Sequence, residues 1–310
     1  MNTQANTTIS QTPDAPLADA KAGKKIRTIS GVVHEVVQET YDTFTLRIKV
    51  ADHDREYKTG QFISIDPHQF PELSEIIAFM EHKKGRKELV RAYSMASTPS
   101  EPYVAITTKP ERYEPEESEY PPLLSPLLGS RALAGRSIHF LGYTGAYTVP
   151  DNVSEQTSEV LHLVAGSGIV PNYAILKDEL LGKKNLGVKH IMINVNKTID
   201  DVIYLKELEQ LHREFPDRFK LFQMLTREED PARHGDHFLK GRPTLDFVAT
   251  KIHDPSSVLV YACGAAVTKW QKKHAKEHGI EPKPRFLESV SDIVHGLGVD
   301  RKRYRKEIYG

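Results

Sequence analysis

The hydrophobic pattern of this 310-residue chain changes period once, near residue 150, and that change limits what the chain can fold into. Before it, apolar and polar residues alternate. The clearest case is 42–50, Asp-Thr-Phe-Thr-Leu-Arg-Ile-Lys-Val, where period two predicts a strand with one buried and one wet face. Similar strands are predicted at 32–38, 61–66, 90–96, 103–108 and 137–141, separated by turn formers at the spacing of a small antiparallel barrel. After residue 151, short apolar runs at 160–165, 191–195, 220–226 and 258–262 alternate with helical patterns at 173–181, 205–212, 267–278 and 286–295. That alternation predicts a parallel sheet covered by helices. The expected fold class is therefore β followed by α/β in two domains, 25–150 and 157–310, joined by a polar linker at 151–156. Residues 1–24, rich in Thr, Gln, Ala and Pro, read as a disordered leader without the apolar core of a signal peptide. Two insertions are expected on the surface rather than in a core, where they would shape access to a site. One is 71–87, with Leu73, Ile76, Ile77 and Met80 at helical spacing, and the other is the acidic 111–122.

Composition removes several function classes. Forty-two basic residues balance forty-two acidic ones, so no global field draws the chain to nucleic acid or to an anionic membrane. No stretch approaches the ~18 apolar residues of a membrane span, which predicts a cytoplasmic chain. A single cysteine, Cys263, excludes an intramolecular disulfide, a four-cysteine zinc site and a cysteine-ligated iron–sulfur cluster carried by this chain alone. His274 and His278 lie four apart but lack the glutamate of a zinc-hydrolase helix, so they read as surface histidines and no metal is expected.

Three short segments carry chemistry. In Arg91-Ala92-Tyr93-Ser94 the arginine and tyrosine share one face of a predicted strand and the serine takes the other. A guanidinium fork suits a pyrophosphate, and a phenol ring packs on a planar cofactor; read alone, the tetrad fits an exposed strand with a surface arginine as well. Gly166-Ser167-Gly168-Ile169-Val170-Pro171 follows a strand and opens a helix, where free amides and the helix dipole meet phosphate, although a simple connection uses the same residues. Cys263-Gly264 ends a buried strand at the carboxyl edge where open sheets bind ligands; a lone buried cysteine is otherwise inert packing.

In this order and spacing the three segments resemble the ferredoxin-NADP reductase superfamily, over nearly all of 26–309. The resemblance implies an antiparallel FAD-binding β-barrel followed by a parallel-sheet NADP-binding α/β domain. It implies that Arg91, Ala92, Tyr93 and Ser94 bind the flavin, preceded by the Gly60-Gln61-Phe62 turn. It adds Ile106, Thr107 and Thr108 as cofactor contacts, and Leu123, Leu124 and Ser125 at the flavin pyrophosphate. Gly142-Tyr143-Thr144-Gly145 resembles the turn that closes the barrel. Gly166, Ser167, Gly168 and Pro171 are implied at the nicotinamide nucleotide. Lys197, Thr226, Arg227 and Arg242 are implied around a 2′-phosphate, favouring NADPH. Cys263 and Gly264 are implied to face the nicotinamide. Glu307 is implied as a proton-handling group and Tyr309 as a ring that covers the flavin. Ser94, Cys263, Glu307 and Tyr309 thus form the expected reacting site. The chain departs from the family pattern at Pro122, Lys197, Ala265 and Gly310.

The implied reaction is electron transfer between NADPH and a small acidic carrier, a ferredoxin or flavodoxin. Two rival readings are a reductase component of an oxygenase and a flavin-binding interaction subunit without nicotinamide turnover. Lys269, Lys272, Lys273 and Lys276 on one predicted helix read as a solvated face. Arg301, Lys302, Arg303, Arg305 and Lys306 are expected beside the flavin shield, as a docking surface for the carrier.

Overall fold

A computed structural model describes residues 27–110 and 112–309, so the expected leader and Gly310 lie outside the described residues. The amino-terminal half runs β1 (Arg27–Thr40), β2 (Thr43–Lys49), β3 (Phe62–Ile65), α1 (Ser74–Lys84), β4 (Arg91–Ser94), β5 (Val104–Thr108), α2 (Ser125–Leu128) and β6 (Ser137–Thr144). Its six strands form one antiparallel sheet in the order β4-β3-β6-β1-β2-β5. Alternate apolar residues, among them Leu46, Ile48, Ile63, Ile65 and Phe140, fill its interior.

The carboxyl-terminal half continues α3 (Val153–Gln156), β7 (Glu159–Ala165), α4 (Ile169–Leu180), β8 (Lys189–Asn196), α5 (Leu205–Glu214), β9 (Phe219–Leu225) and β10 (Phe238–Lys240). It ends with α6 (Leu245–Ala249), β11 (Leu259–Gly264), α7 (Lys269–Glu277), α8 (Phe286–Gly296) and β12 (Tyr304–Ile308). The strands form a parallel sheet in the order β10-β9-β8-β7-β11-β12. The inner strands β7, β8 and β11 are buried along nearly their whole length, because both faces of the sheet are covered, and so they read as continuous apolar runs. The expected fold class is the one observed.

Several local expectations need correction. The outer face of β2 is wet only at its Arg47 and Lys49 end: Thr43 and Thr45 are buried, and Thr45 bonds Thr107, which in turn bonds Tyr204 of the second domain. Residues 71–87 do form a helix, but Ile77 and Met80 are buried in a small core of their own with Leu123 and Tyr120. Both insertions meet in that cluster. Residues 142–144 are not a turn, since β6 continues through Thr144 and the chain bends only at Gly145, φ +111°. The segment 151–156 contains α3, whose Val153 is fully buried. The charged carboxyl terminus, which taken alone reads as a frayed tail, is strand β12.

The two halves share a core. Ala96 and Ala105 of the barrel pack with Val164, Ile169 and Tyr173 of the second domain. Tyr173 and Tyr204 stack at 4.1 Å beside them, and Lys177 bonds Glu101 at 2.6 Å. This apolar seam fixes how the halves face each other, and hence the geometry of what lies between them.

Candidate active site

The barrel sheet has two end strands, β4 and β5, and the barrel closes between them at the Met95–Ile106 bridge. Beyond that bridge the strands separate around a cavity of about 330 Å³. Arg91–Ser94 of β4, Thr107 and Thr108 of β5, and Ser125 at the start of α2 line it from the barrel. Ser167, Glu307 and Tyr309 close it from the second domain.

Arg91 is held in place before any ligand arrives. Its guanidinium lies 2.5 Å from Glu88 and donates to the Leu89 carbonyl at 2.6 Å. The Glu88 side chain is almost fully buried, and Lys84 at 2.5 Å is its second cation. A carboxylate there tolerates burial because it carries two charge-assisted bonds, which hold its pKa below the ordinary range despite desolvation. Tyr93 is partly buried, and desolvation raises its phenol pKa. Ser94, 3% exposed, faces the second domain.

Glu307 reaches the same cavity from β12. The parallel register sets it directly opposite Cys263 of β11. Burial pushes its carboxyl up to about 7, and the Ser94 hydroxyl partly offsets that. Its Oε2 atom is buried with no hydrogen-bond partner among the described residues. Cys263 is fully buried; desolvation and the neighbouring Glu307 push its thiol well above the usual range, so it stays protonated and is a poor nucleophile. Tyr309 follows, its amide bonded to the Gly264 carbonyl at 2.9 Å. Its ring is partly exposed to the cavity while its hydroxyl end is buried, which raises the phenol pKa.

A second cavity, a groove of about 500 Å³, runs along the carboxyl edge of the parallel sheet. Its floor is Ala165, Gly166 and Ser167 after β7 and the ends of β8 and β9; one wall is α8, with Phe286, Ser289, Val290 and Ile293. Gly166 has φ +52°, in the left-handed region. At Gly168 a Cβ would lie 2.2 Å from the Cys263 carbonyl oxygen, so only glycine lets the turn pack on β11. Behind the turn, Asn172 donates to the Gly168 carbonyl at 3.2 Å and bonds buried His162 at 2.8 Å. Burial drives His162 down to about 4, so it is neutral. Lys197, Thr226 and Arg242 stand at the far end of the groove. Lys109, Ser167 and Tyr309 line both cavities, which makes the Tyr309 ring a wall between them.

Not every expected residue reaches a cavity. Ile106 is in the barrel core, and the side chains of Leu123 and Leu124 are buried, leaving only their backbone to offer. Gly168 is buried against β11 and Pro171 in the first turn of α4, and Cys263 and Gly264 lie behind Tyr309 rather than on either surface. Arg227 is exposed and outside the groove lining, its amide bonded to the Lys197 carbonyl at 2.8 Å. The basic carboxyl terminus is not beside Tyr309 as expected. Parallel pairing runs Tyr304 to Ile308 alongside Val260 to Gly264, so Arg301–Arg303 lies at the opposite edge of the sheet. Arg303 and Arg305 are committed to backbone carbonyls of Gln156, Ser257, Ala146 and Thr148. Sequence reading missed Glu88, Lys109 and Arg285. A signal existed for Arg285, a cation just ahead of a helix that starts at the carboxyl edge of the sheet.

Among the described residues no cluster of His, Cys, Asp or Glu could hold a metal, and no helix is long and apolar enough to cross a membrane.

Residues 163–271 match the model of the oxidoreductase NAD-binding domain. The chain is 25% identical over 91% of its length to the ferredoxin reductase component of a 3-ketosteroid-9-alpha-monooxygenase from Rhodococcus rhodochrous, and covers 65% of it. It is 26% identical over 61% of its length to a ferredoxin–NADP reductase of Synechocystis, and covers 45% of that protein. The chain therefore spans less than two thirds of either relative. In fold it is similar to the FAD/NAD-binding domain of nitric oxide dioxygenase from Vibrio cholerae, with TM-score 0.65 and 21% identity over 91% of this chain and 98% of that one.

Proposed function

The chain belongs to the ferredoxin-NADP reductase superfamily, and on that premise we propose that it is a flavin-dependent oxidoreductase passing electrons from NADPH to a small one-electron carrier. One observation carries the reading: the Tyr309 ring is the wall between a cavity that fits a planar cofactor and a groove that fits a dinucleotide. FAD bound in the first cavity supplies a hydride acceptor at N5 and single-electron release to the carrier.

The residues fit that cofactor. The unpartnered Glu307 Oε2 and the Ser94 hydroxyl give a flavin edge something to bond, and Arg91 and Ser125 stand ready for its phosphates. Ala92 and Tyr93 offer a packing surface, with Thr107 and Thr108 opposite. Gly166 and Ser167 present backbone to the nicotinamide nucleotide, and Lys197, Thr226 and Arg242 offer charge and a hydroxyl to a 2′-phosphate. Tyr309 excludes water until the nicotinamide takes its place. Cys263, protonated and rigid, packs behind the ring rather than reacting. Glu307, with a pKa near neutrality, holds or moves a proton at the flavin edge.

A second reading, a reductase component of an oxygenase, draws on the similarity to the Rhodococcus protein and uses the same chemistry with a different acceptor. The test is a visible spectrum of the purified protein and anaerobic addition of NADPH, followed by steady-state reduction of ferredoxin, flavodoxin and an oxygenase-type ferredoxin. Bleaching of a flavin band supports the enzyme, and the preferred acceptor separates the two readings. A band that stays oxidised with both NADPH and NADH assigns the chain a binding role instead.

A further inference from the structure

We propose that residues 112–122 form a latch across the mouth of the groove, and that Arg285, which Glu117 of the latch engages, is an anion-binding residue of that groove. The proposal rests on the groove being the nucleotide site. The segment leaves the barrel after β5 and returns to it at α2, and on the way it touches the second domain twice. Trp270 of α7 donates its indole N–H to the Pro115 carbonyl at 3.0 Å. Arg285, at the start of α8, places its guanidinium 3.5 Å from the Glu117 carboxylate.

Arg285 also lines the groove, with Lys197 and Arg242. Among the described residues those two make no ion pair, whereas Arg285 is engaged by the latch. The latch is anchored at its Tyr120 end. Tyr120 packs with Ile77, Met80 and Leu123, and Lys84 sits over its ring at 4.4 Å, while residues 112–117 are exposed. The Glu117–Arg285 pair is itself half-exposed, and such pairs are weak. A pyrophosphate brings more charge and two acceptor oxygens to the guanidinium fork, so an entering dinucleotide displaces Glu117. Loading the groove and releasing the latch are then one competition for one cation.

Trp270 is the only tryptophan in the sequence and touches the latch directly, so intrinsic fluorescence of the purified flavin-loaded protein reads the latch. ADP serves as the phosphate-bearing probe, with affinity followed by calorimetry. Glu117→Gln is expected to raise the quenching of Trp270 by acrylamide without ligand, and to tighten ADP by about two- to five-fold. Arg285→Ala is expected to weaken ADP by about tenfold and Arg285→Lys by less. In the Arg285→Ala background Glu117→Gln is expected to do nothing to ADP, because its effect runs through that guanidinium. Equal tightening in both backgrounds would overturn the proposal, as would Trp270 quenching indifferent to Glu117→Gln. ADP binding that leaves Trp270 unmoved removes the latch while the nucleotide groove stands. Failure of ADP and NADP⁺ alike to bind removes both.

Discussion

Glu307 and Cys263 sit directly opposite each other on the parallel strands β12 and β11, placing the chain's single thiol beside a carboxyl with one unpartnered oxygen. The thiol is kept protonated by burial and by that carboxyl. The carboxyl is kept near its titration point by burial.

The first prediction follows from the sign of that shift. The folded pKa of about 7 lies above the ordinary 4.5, so between those values the native chain holds a proton that the unfolded chain has lost. The associated stability is complete below about pH 4.5 and is lost as pH rises through 7. Glu307→Gln should therefore match the parent near pH 4 and exceed it by roughly 2 to 4 kcal/mol at pH 8. Thermal unfolding of flavin-depleted protein at the two pH values checks this; a difference that does not grow with pH would mean the carboxyl is solvated.

Arg91 offers a second test. Arg91→Ala should weaken FAD by on the order of 1.5 to 3 kcal/mol through loss of a charge-assisted contact. It also leaves buried Glu88 with Lys84 as its one remaining cation, so a lower Tm is expected too. Arg91→Lys keeps a charge for Glu88 but loses the fork, and separates the two effects. Flavin content of the purified variants is the readout, and full FAD retention by Arg91→Ala would sink the assignment.

Third, the two arginines that look equivalent in sequence are not equivalent in space. Arg242 lines the groove and Arg227 does not. Arg242→Ala should lower kcat/KM for NADPH by about tenfold and leave NADH nearly unchanged, whereas Arg227→Ala should change either by less than about twofold. Steady-state kinetics with both nucleotides decide it. Equal losses for NADPH and NADH would show that Arg242 serves the shared part of the ligand.

The fourth concerns the carrier. Arg301 is exposed and lies at the sheet edge away from Tyr309, so Arg301→Glu should leave carrier reduction unchanged. Exposed Lys269, Lys272 and Lys273 of α7 follow the carboxyl end of β11, and reversing their charge should slow an acidic carrier several-fold at low salt. Reduction of a small neutral dye should not change. Arg305→Ala should lower Tm instead, since it strands the Ala146 and Thr148 carbonyls. A slowed carrier in the Arg301 variant would return the docking face to the chain terminus.

The succession of barrel and parallel sheet was legible in the residues alone, because hydrophobic periodicity is a local property and nearly every strand and helix carries its own. The sequence also marked the tetrad at Arg91 and the glycine turn at Gly166, where backbone chemistry restricts the residue types. Tertiary structure decided the rest. β12 is too charged to announce itself as a strand; it exists because β11 offers a free edge with unpaired backbone groups, and the register of that pairing sets Glu307 against Cys263 and carries the basic run away from Tyr309. Thr45 looks solvent-facing until it joins the buried Thr107–Tyr204 chain of bonds to the second domain. Glu88 gains its part from burial between Lys84 and Arg91, cations close in sequence but not on a common helix, and Arg285 from Glu117 in the other half of the molecule. Periodicity fixes which face of an element is apolar, but which partner meets that face depends on pairings across tens to hundreds of residues, and those are set only when the whole core closes.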